Sequence, residues 1–204
     1  QPLAALLDGR AIHLFGEDEM RDAGRLVAGL THRDIDMIDT TPSMFGQLAA
    51  AGLVGDEGVG HAHLSVLALG GEAIGPALWQ QLSALPGTTA HNCYGPTETT
   101  VEAVVARIPD SPEPTIGSPT DRMSAYILDS RLRQVPNGIP GELYLSGPQV
   151  TRGYVGRAAM TAGRFVADPF VTGERMYRTG DLVRRNDRGD IDFVGRRDDQ
   201  VKIR

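Results

Sequence analysis

The sequence lacks most of the features that mark secreted, membrane-spanning or nucleic-acid-binding proteins. Its single cysteine, Cys93, cannot form a disulfide within the chain, so we expect a reducing environment and a cytoplasmic location. No apolar run approaches the roughly 20 residues that span a bilayer, and the first residues do not resemble a signal peptide. The chain has 20 basic and 26 acidic residues and a net charge of −6, which disfavours binding to nucleic acid or to an anionic membrane.

The rest of the composition is that of an ordinary soluble protein. Hydrophobic residues make up 41% and charged residues 23%, while aromatic residues are scarce at 5%. A length of 204 residues suffices for one large core or two modest ones. The 25 glycines and 13 prolines are dispersed, which is typical of turns between many short elements rather than of a disordered linker.

The first half of the chain alternates between helical and strand-like patterns. Helices are predicted over residues 17–30, 42–53 and 76–85, and strands over residues 35–40, 64–69 and 88–94. Thr41 is suited to cap the second helix and Pro42 to occupy its first turn. This alternation predicts a parallel sheet, whose functional loops lie at the carboxyl ends of the strands. Two loops, 70–72 and 94–98, fall at such ends.

The second half has a different pattern, in which short strands are divided by turns. Strands are predicted over residues 125–129, 142–146, 181–185 and 190–194. Asn137-Gly138 and the segment 186–189 predict hairpin turns. We therefore predict a parallel-sheet α/β subdomain followed by a distorted antiparallel β-barrel subdomain, with a boundary near residues 109–112.

The loop that follows the strand at 88–94 carries the most informative motif. Within residues 92–98 it combines an amide, an aromatic ring, a Gly-Pro turn, a hydroxyl and a carboxylate. A purine needs a flat surface and a polar edge partner, phosphates need hydrogen-bond donors, and Mg²⁺ needs oxygen ligands. This loop offers each of these contacts, although an ordinary turn can have the same composition.

The loop resembles the nucleotide-binding loop of the adenylate-forming superfamily, and especially that of amino-acid adenylation domains in nonribosomal peptide synthetases. Further motifs of that family follow in order, at residues 141–147, 152–154, 164–165, 177–182 and 195–204. The segment 157–161 departs from the pattern, because it lacks the usual proline and leucine. The resemblance covers nearly the whole chain. It assigns residues 1–110 to the C-terminal part of the α/β subdomain, 111–197 to the β-barrel subdomain, and 198–204 to a hinge and the start of a small C-terminal domain.

The resemblance also implies roles for individual residues. It assigns nucleotide binding to Asn92, Tyr94, Gly95, Thr97, Asp181 and Arg196, and catalysis to Thr97, Glu98 and Lys202. Tyr94 is expected to stack on adenine, and Asn92 to meet its amino edge. Asp181 is expected to accept hydrogen bonds from both ribose hydroxyls, because a carboxylate offers two acceptor oxygens. Glu98 is expected to help hold Mg²⁺, and Asp198 is expected to act as the hinge.

Offsets from the same motifs define an amino-acid pocket. As the resemblance implies, these offsets place Asp39, Ala68, Gly70, Cys93, Val101 and Glu102 on its wall, and Gly71 and Glu72 are also expected to bind the substrate. Two acids, Asp39 and Glu102, are costly to bury in a small pocket without a cation. We therefore predict a basic amino acid such as arginine, ornithine or lysine; the alternative is that one carboxylate faces solvent.

The resemblance implies a reaction, its cofactors and its partners. ATP and Mg²⁺ would activate the amino acid as aminoacyl-AMP. Thioesterification to the phosphopantetheine of a peptidyl carrier protein domain would follow, and an accessory activator protein is a further candidate partner. The phosphate loop and the C-terminal catalytic lysine of the family are expected outside these residues, so we expect little activity from them alone.

Two alternatives remain open at this stage. One is an acyl- or aryl-CoA ligase of the same superfamily, and the other is a non-catalytic protein that retains the fold. A metal site at His61 and His63 is disfavoured, because no third ligand lies nearby. A role for Cys93 as a catalytic nucleophile is also disfavoured, because no base is evident beyond the adjacent His91.

Overall fold

A computed structural model describes residues 2–54 and 64–197 and contains two five-stranded sheets. The strands of the first sheet are β1 (Met37–Thr40), β2 (Val66–Gly70), β3 (Thr89–Tyr94), β4 (Val104–Arg107) and β5 (Ser118–Pro119). They lie side by side in that order; β1, β2 and β3 are parallel, while β4 and β5 are antiparallel to their neighbours. The α/β subdomain predicted from the sequence therefore has a mixed sheet, because the chain reverses directly after β3.

The second sheet is antiparallel throughout. Its strands are β6 (Ser124–Leu128), β7 (Gly141–Ser146), β8 (Phe165–Ala167), β9 (Arg175–Arg185) and β10 (Ile191–Arg196). The order is β10-β9-β7-β6, and β8 pairs with β9. Register shifts at residues 142–144 and 193–195 curve the sheet. The predicted fold class, an α/β unit followed by a distorted antiparallel β unit, is confirmed, with the first sheet parallel over β1, β2 and β3.

Six helices accompany the sheets in the described ranges. They are α1 (Pro2–Leu7), α2 (Glu17–Met20), α3 (Ala23–His32), α4 (Pro42–Ala50), α5 (Pro76–Ser83) and α6 (Ala158–Arg164). Short 3-10 turns also occupy Thr97–Thr99 and Ile108–Asp110. No helix in these two ranges is long and apolar enough to cross a membrane.

The single helix predicted over 17–30 is wrong, because the chain breaks between α2 and α3. Asp22 lies in an extended conformation there, and its carboxylate accepts a hydrogen bond from the backbone N–H of Arg25 at 3.0 Å. The residue thus begins a new helix as its N-cap. The predicted cap of α4 is confirmed, since the Thr41 hydroxyl accepts from Met44 N at 3.2 Å.

The first sheet has a hydrophobic core of its own, and a second core lies at the seam where the two sheets meet, since it also includes Tyr94 and Val104 of the first sheet. The first core includes Phe45, Leu67 and Trp79, and the second includes Leu143 and Ile191. At the seam, Ile116 donates its N–H to Ile191 O at 2.9 Å, and Ile191 N–H donates to Gly117 O at 2.8 Å. Because β1, β2 and β3 are parallel, their carboxyl ends lie at one edge of the first sheet.

Candidate functional site

A cleft of about 840 Å³ lies between the two sheets and is lined by residues of both. The first sheet contributes Asn92 to Glu98, at the end of β3 and in the loop that follows. The second contributes Thr179 and Asp181 from β9, and Phe193 and Arg196 from β10. All the residues predicted to bind nucleotide therefore line one cavity of a size suited to a small molecule.

Asp181 is the centre of a hydrogen-bonded group within the cleft. It pairs with Arg196 across β9 and β10, and Arg196 Nη1 donates to Asp181 Oδ1 at 2.6 Å. The Tyr94 hydroxyl donates to the other carboxylate oxygen, Oδ2. Burial raises the pKa of Tyr94, and the neighbouring Asp181 carboxylate raises it further, so the phenol stays a donor at neutral pH.

Asn92 is buried in β3 and lines the same cleft. Its side-chain nitrogen donates to the carbonyl oxygen of Thr115 at 2.7 Å. That bond uses the donor end of the amide and fixes its orientation. The amide oxygen, an acceptor, is then the group suited to meet an amino group of a ligand.

Glu98 and Thr97 lie in the 3-10 turn that follows β3 and line the cleft. The Glu98 carboxylate accepts a hydrogen bond from the Tyr154 hydroxyl, and Glu98 O accepts from Thr151 N at 2.8 Å. The described residues contain no group of three or more His, Cys, Asp or Glu side chains that could hold a metal. A single carboxylate nevertheless fits Mg²⁺, which commonly takes one or two protein carboxylates together with waters and substrate phosphates.

A second pocket, of about 340 Å³, adjoins the cleft at the ends of β1, β2 and β3. Its lining consists of Asp39, Thr40, Thr41, Gly70, Gly71, Cys93, Gly95, Val101 and Glu102. Most of the residues predicted to bind the amino acid are thus brought together. Asp39 is exposed in this structure, and Glu102 is partly buried.

Two residues of the predicted substrate set lie elsewhere. Ala68 is buried in β2 beside Asp39 of β1, and lines neither pocket. Glu72 lines the larger cleft, and its carboxylate accepts from the backbone N–H of Ser43 at 3.1 Å and from its hydroxyl at 2.7 Å. Glu72 therefore caps the start of α4 in this structure.

Cys93 lines the second pocket together with Asp39 and Glu102. The pKa of its thiol is raised to about 12, first by burial and then by the negative charges of Glu102 and Asp39. At neutral pH the side chain is a neutral thiol, which agrees with its rejection as a nucleophile.

The loop between β3 and β4 reverses through an uncommon conformation. Thr100 and Val101 have φ values of 60° and 71°, in the left-handed region that β-branched residues rarely occupy. A Cβ atom at Gly95 would overlap the carbonyl oxygen of Val101, so the close approach requires glycine. This turn determines where Val101 and Glu102 enter the second pocket.

Sequence reasoning assigned no role to Tyr154, Arg164 or Tyr177, which also line the cleft. These three residues could have been found from the sequence, because they lie within motifs of the family that the chain resembles. Asp198, Lys202, His61 and His63 lie outside the described residues.

Comparison with known proteins adds independent information. Residues 1–155 match the family described as AMP-binding enzyme. The chain is 43% identical over 200 residues to vanchrobactin synthetase VabF of Vibrio anguillarum, covering 98% of this chain and 7% of that protein. It is 42% identical over 202 residues to phosphinothricin tripeptide synthetase PhsB of Streptomyces viridochromogenes, covering 98% of this chain and 17% of that protein. The chain thus spans a small part of both relatives.

Solved structures show the same relationship. A four-domain nonribosomal peptide synthetase bound to AMP and glycine superposes with a TM-score of 0.82 and 33% identity, over 96% of this chain and 14% of that one. A nonribosomal peptide synthetase protein containing adenylation and PCP domains superposes with a TM-score of 0.78 and 28% identity, over 89% of this chain and 37% of that one.

Proposed function

The chain belongs to the AMP-binding enzyme family, and we propose that it forms the nucleoside- and amino-acid-binding part of a nonribosomal peptide synthetase adenylation domain. In the complete enzyme, a carboxylate oxygen of the amino acid attacks the α-phosphorus of MgATP. The bond from that phosphorus to the β-phosphate oxygen breaks, giving aminoacyl-AMP and pyrophosphate. The aminoacyl group then passes to the phosphopantetheine thiol of a carrier protein domain, and AMP leaves.

One observation carries this proposal: the cleft and the smaller pocket meet, and Gly71, Cys93 and Gly95 line both. An aminoacyl-AMP needs one site for its adenosine and an adjoining site for its side chain. The two cavities supply such a pair, and the loop that follows β3 lines both. One structural relative is a nonribosomal peptide synthetase bound to both AMP and glycine, so it holds a nucleotide and an amino acid together.

The proposed nucleotide contacts follow from the polar groups of the cleft. Asp181 holds the ribose, since its oxygens can accept hydroxyl protons in addition to the bonds from Tyr94 and Arg196. Asn92 accepts from the adenine amino group with its amide oxygen, and the Tyr94 ring lies against the base. Arg196 offsets the negative charge of the phosphate, while its bond to Asp181 keeps that carboxylate oriented.

The proposed role of the 3-10 turn is to hold the phosphates and their metal. Thr97 donates its hydroxyl to a phosphate oxygen, and Glu98 supplies one oxygen ligand to the Mg²⁺ that accompanies ATP. Tyr154 bonds to Glu98 and restricts the position of that carboxylate before the nucleotide arrives. Bound Mg²⁺ neutralises charge that develops on the phosphate oxygens.

The proposed amino-acid substrate carries a positive side chain. Asp39 and Glu102 line one small pocket, and both contribute to the raised pKa of the Cys93 thiol, which reflects a negative potential there. A guanidinium or ammonium group offsets that potential and supplies donors to both carboxylates. Because Asp39 is exposed and Glu102 is partly buried, the cation stabilises Glu102 more than Asp39.

Calorimetric titration of the full-length protein with ATP and Mg²⁺ tests the nucleotide site. Asp181→Asn keeps the shape of the side chain but removes its charge and one acceptor, so we expect the affinity to fall about tenfold or more. Asp187→Asn makes the same change at an exposed turn position and should bind as the wild type does. Absence of ATP binding by the wild type, or equal affinities in both variants, contradicts the proposal.

A further inference from the structure

The turn at Thr100 and Val101 has a strained backbone. Both residues are β-branched and have positive φ values, a conformation that the isolated chain rarely adopts. Glu102 follows directly, so the carboxylate proposed to bind the substrate cation depends on this turn. Within the loop, Ala103 N donates to Tyr94 O at 3.0 Å, Thr100 N to Thr97 O at 3.1 Å and Glu102 N to Thr100 O at 2.9 Å; these three bonds are local and do not join the tip to the second sheet.

Gln149 contacts the tip from the other sheet, where it lies in the segment that follows β7. Its backbone carbonyl accepts a hydrogen bond from the Thr100 hydroxyl at 2.8 Å. Its side-chain amide faces the carbonyl oxygens of Thr99 and Glu102, so the nitrogen must point toward them; it then donates at 3.3 and 3.0 Å. One residue thus bonds to the chain before, within and after the strained turn.

We propose that Gln149 is a positioning residue for amino-acid specificity, which fixes the turn and thereby the Glu102 carboxylate in the second pocket. The inference rests on the proposed function, because it assigns Gln149 an effect on the cation that Glu102 binds. Gln149 itself lines neither pocket. Its effect on substrate choice therefore acts through the loop.

Amino-acid-dependent ATP–pyrophosphate exchange by the full-length protein tests this role. The measured quantity is the ratio of kcat/KM for the preferred cationic amino acid to that for a neutral isostere, such as citrulline for arginine or norleucine for lysine. This ratio does not depend on the fraction of protein that is folded. We expect Gln149→Ala to lower the ratio about tenfold, as the loss of two hydrogen bonds predicts, by raising KM for the cation. KM for ATP should remain unchanged.

Two further variants separate hydrogen bonding from side-chain volume. Gln149→Met keeps the length of the side chain but removes its donors, so we expect it to behave like Gln149→Ala. Gln80→Ala changes an exposed glutamine on α5 and should leave the ratio at the wild-type value. A purely space-filling role predicts instead that Gln149→Met matches the wild type.

A double-mutant cycle tests whether Gln149 acts through Glu102. Once Glu102→Gln has removed the charge, adding Gln149→Ala should lower the ratio no further. Two outcomes overturn the inference about Gln149 while the proposed function stands. In one, the wild type prefers a cation and both Gln149 variants keep the wild-type ratio. In the other, the effects of Gln149→Ala and Glu102→Gln on the ratio are additive. If the wild type shows no exchange, or no preference for a cation, the proposed function fails and the inference fails with it.

Discussion

At the scale of single residues, the pKa of the Cys93 thiol reflects the negative charges of the second pocket. Its pKa is raised to about 12 by burial and by the neighbouring Glu102 and Asp39 carboxylates. The thiol pKa in the unfolded chain is lower, so the unfolded state loses this proton first as the pH rises. Between the two pKa values, the contribution of Cys93 to folding stability therefore falls with increasing pH.

The rate of alkylation of Cys93 by iodoacetamide should increase when Glu102 is neutralised. Removing one negative neighbour lowers the thiol pKa and raises the fraction of reactive thiolate at a fixed pH. We expect Glu102→Gln to accelerate alkylation about threefold to tenfold at mildly alkaline pH. Glu113→Gln, at an exposed position, is the matched control. Equal rates in the two variants would mean that Glu102 does not share the pocket with the thiol.

At this scale, the resemblance to adenylation domains predicted which residues line the cleft, while residue types alone pointed only to the loop at 92–98. Tyr94 and Asp181 lie 87 residues apart in sequence, and the structure brings them within hydrogen-bonding distance, with Arg196 paired to Asp181 from the neighbouring strand. The roles assigned to them remain predictions. The role proposed for Gln149 could not be predicted from the sequence. Its side chain is a neutral amide, and the turn that it contacts lies about 50 positions earlier in the chain.

At the scale of secondary-structure elements, local chemistry explains which predictions succeeded. The predicted start of α4 was correct because Thr41 caps a helix whose first residue is Pro42. The prediction missed β8, which has 3 residues, and α6, none of whose residues is buried, so neither carries a periodic apolar signal. The strand β9 was predicted to begin at residue 181 because a glycine at position 180 is typical of a turn. In the structure, Gly180 lies within the strand and has a φ of 79°.

The stability of the first core should depend on the cap of α4. Thr41→Ala removes the side-chain acceptor for Met44 N, so we expect the free energy of unfolding to fall by about 1 kcal/mol. Thr41→Ser keeps the acceptor and should lose much less. The buried Trp79, the single tryptophan of the sequence, allows urea unfolding to be followed by fluorescence.

Thr172→Ala, at an exposed loop position, is the control for this comparison. Equal urea midpoints for Thr41→Ala and Thr172→Ala would show that the hydroxyl does not stabilise the helix.

At the scale of the whole molecule, the resemblance to adenylation domains of nonribosomal peptide synthetases is confirmed by the family match and by the structural relatives. The antiparallel pairing of β4 with β3 in the first sheet was not predicted. The strand β4 has four residues and directly follows a tight loop, so the sequence does not indicate its direction. The division of the chain into subdomains at residue 110 stays a prediction, as does the hinge at Asp198.

The arrangement of the two sheets explains why nucleotide and amino acid are proposed to bind side by side. Tyr94 ends a strand of the first sheet, and its hydroxyl bonds to Asp181 of the second. The cleft therefore depends on the packing of both sheets against each other. The amino-acid pocket depends mainly on the first sheet and on the strained loop that follows β3.

The most direct test of this account is ATP–pyrophosphate exchange by the full-length protein across a panel of amino acids. The account predicts exchange that requires an amino acid and favours arginine, ornithine or lysine over leucine and phenylalanine. It also predicts that Glu102→Gln reduces this preference about tenfold or more, because one charge-assisted contact to the substrate is lost. Preference for leucine or phenylalanine in the wild type, or an unchanged preference after Glu102→Gln, would contradict it.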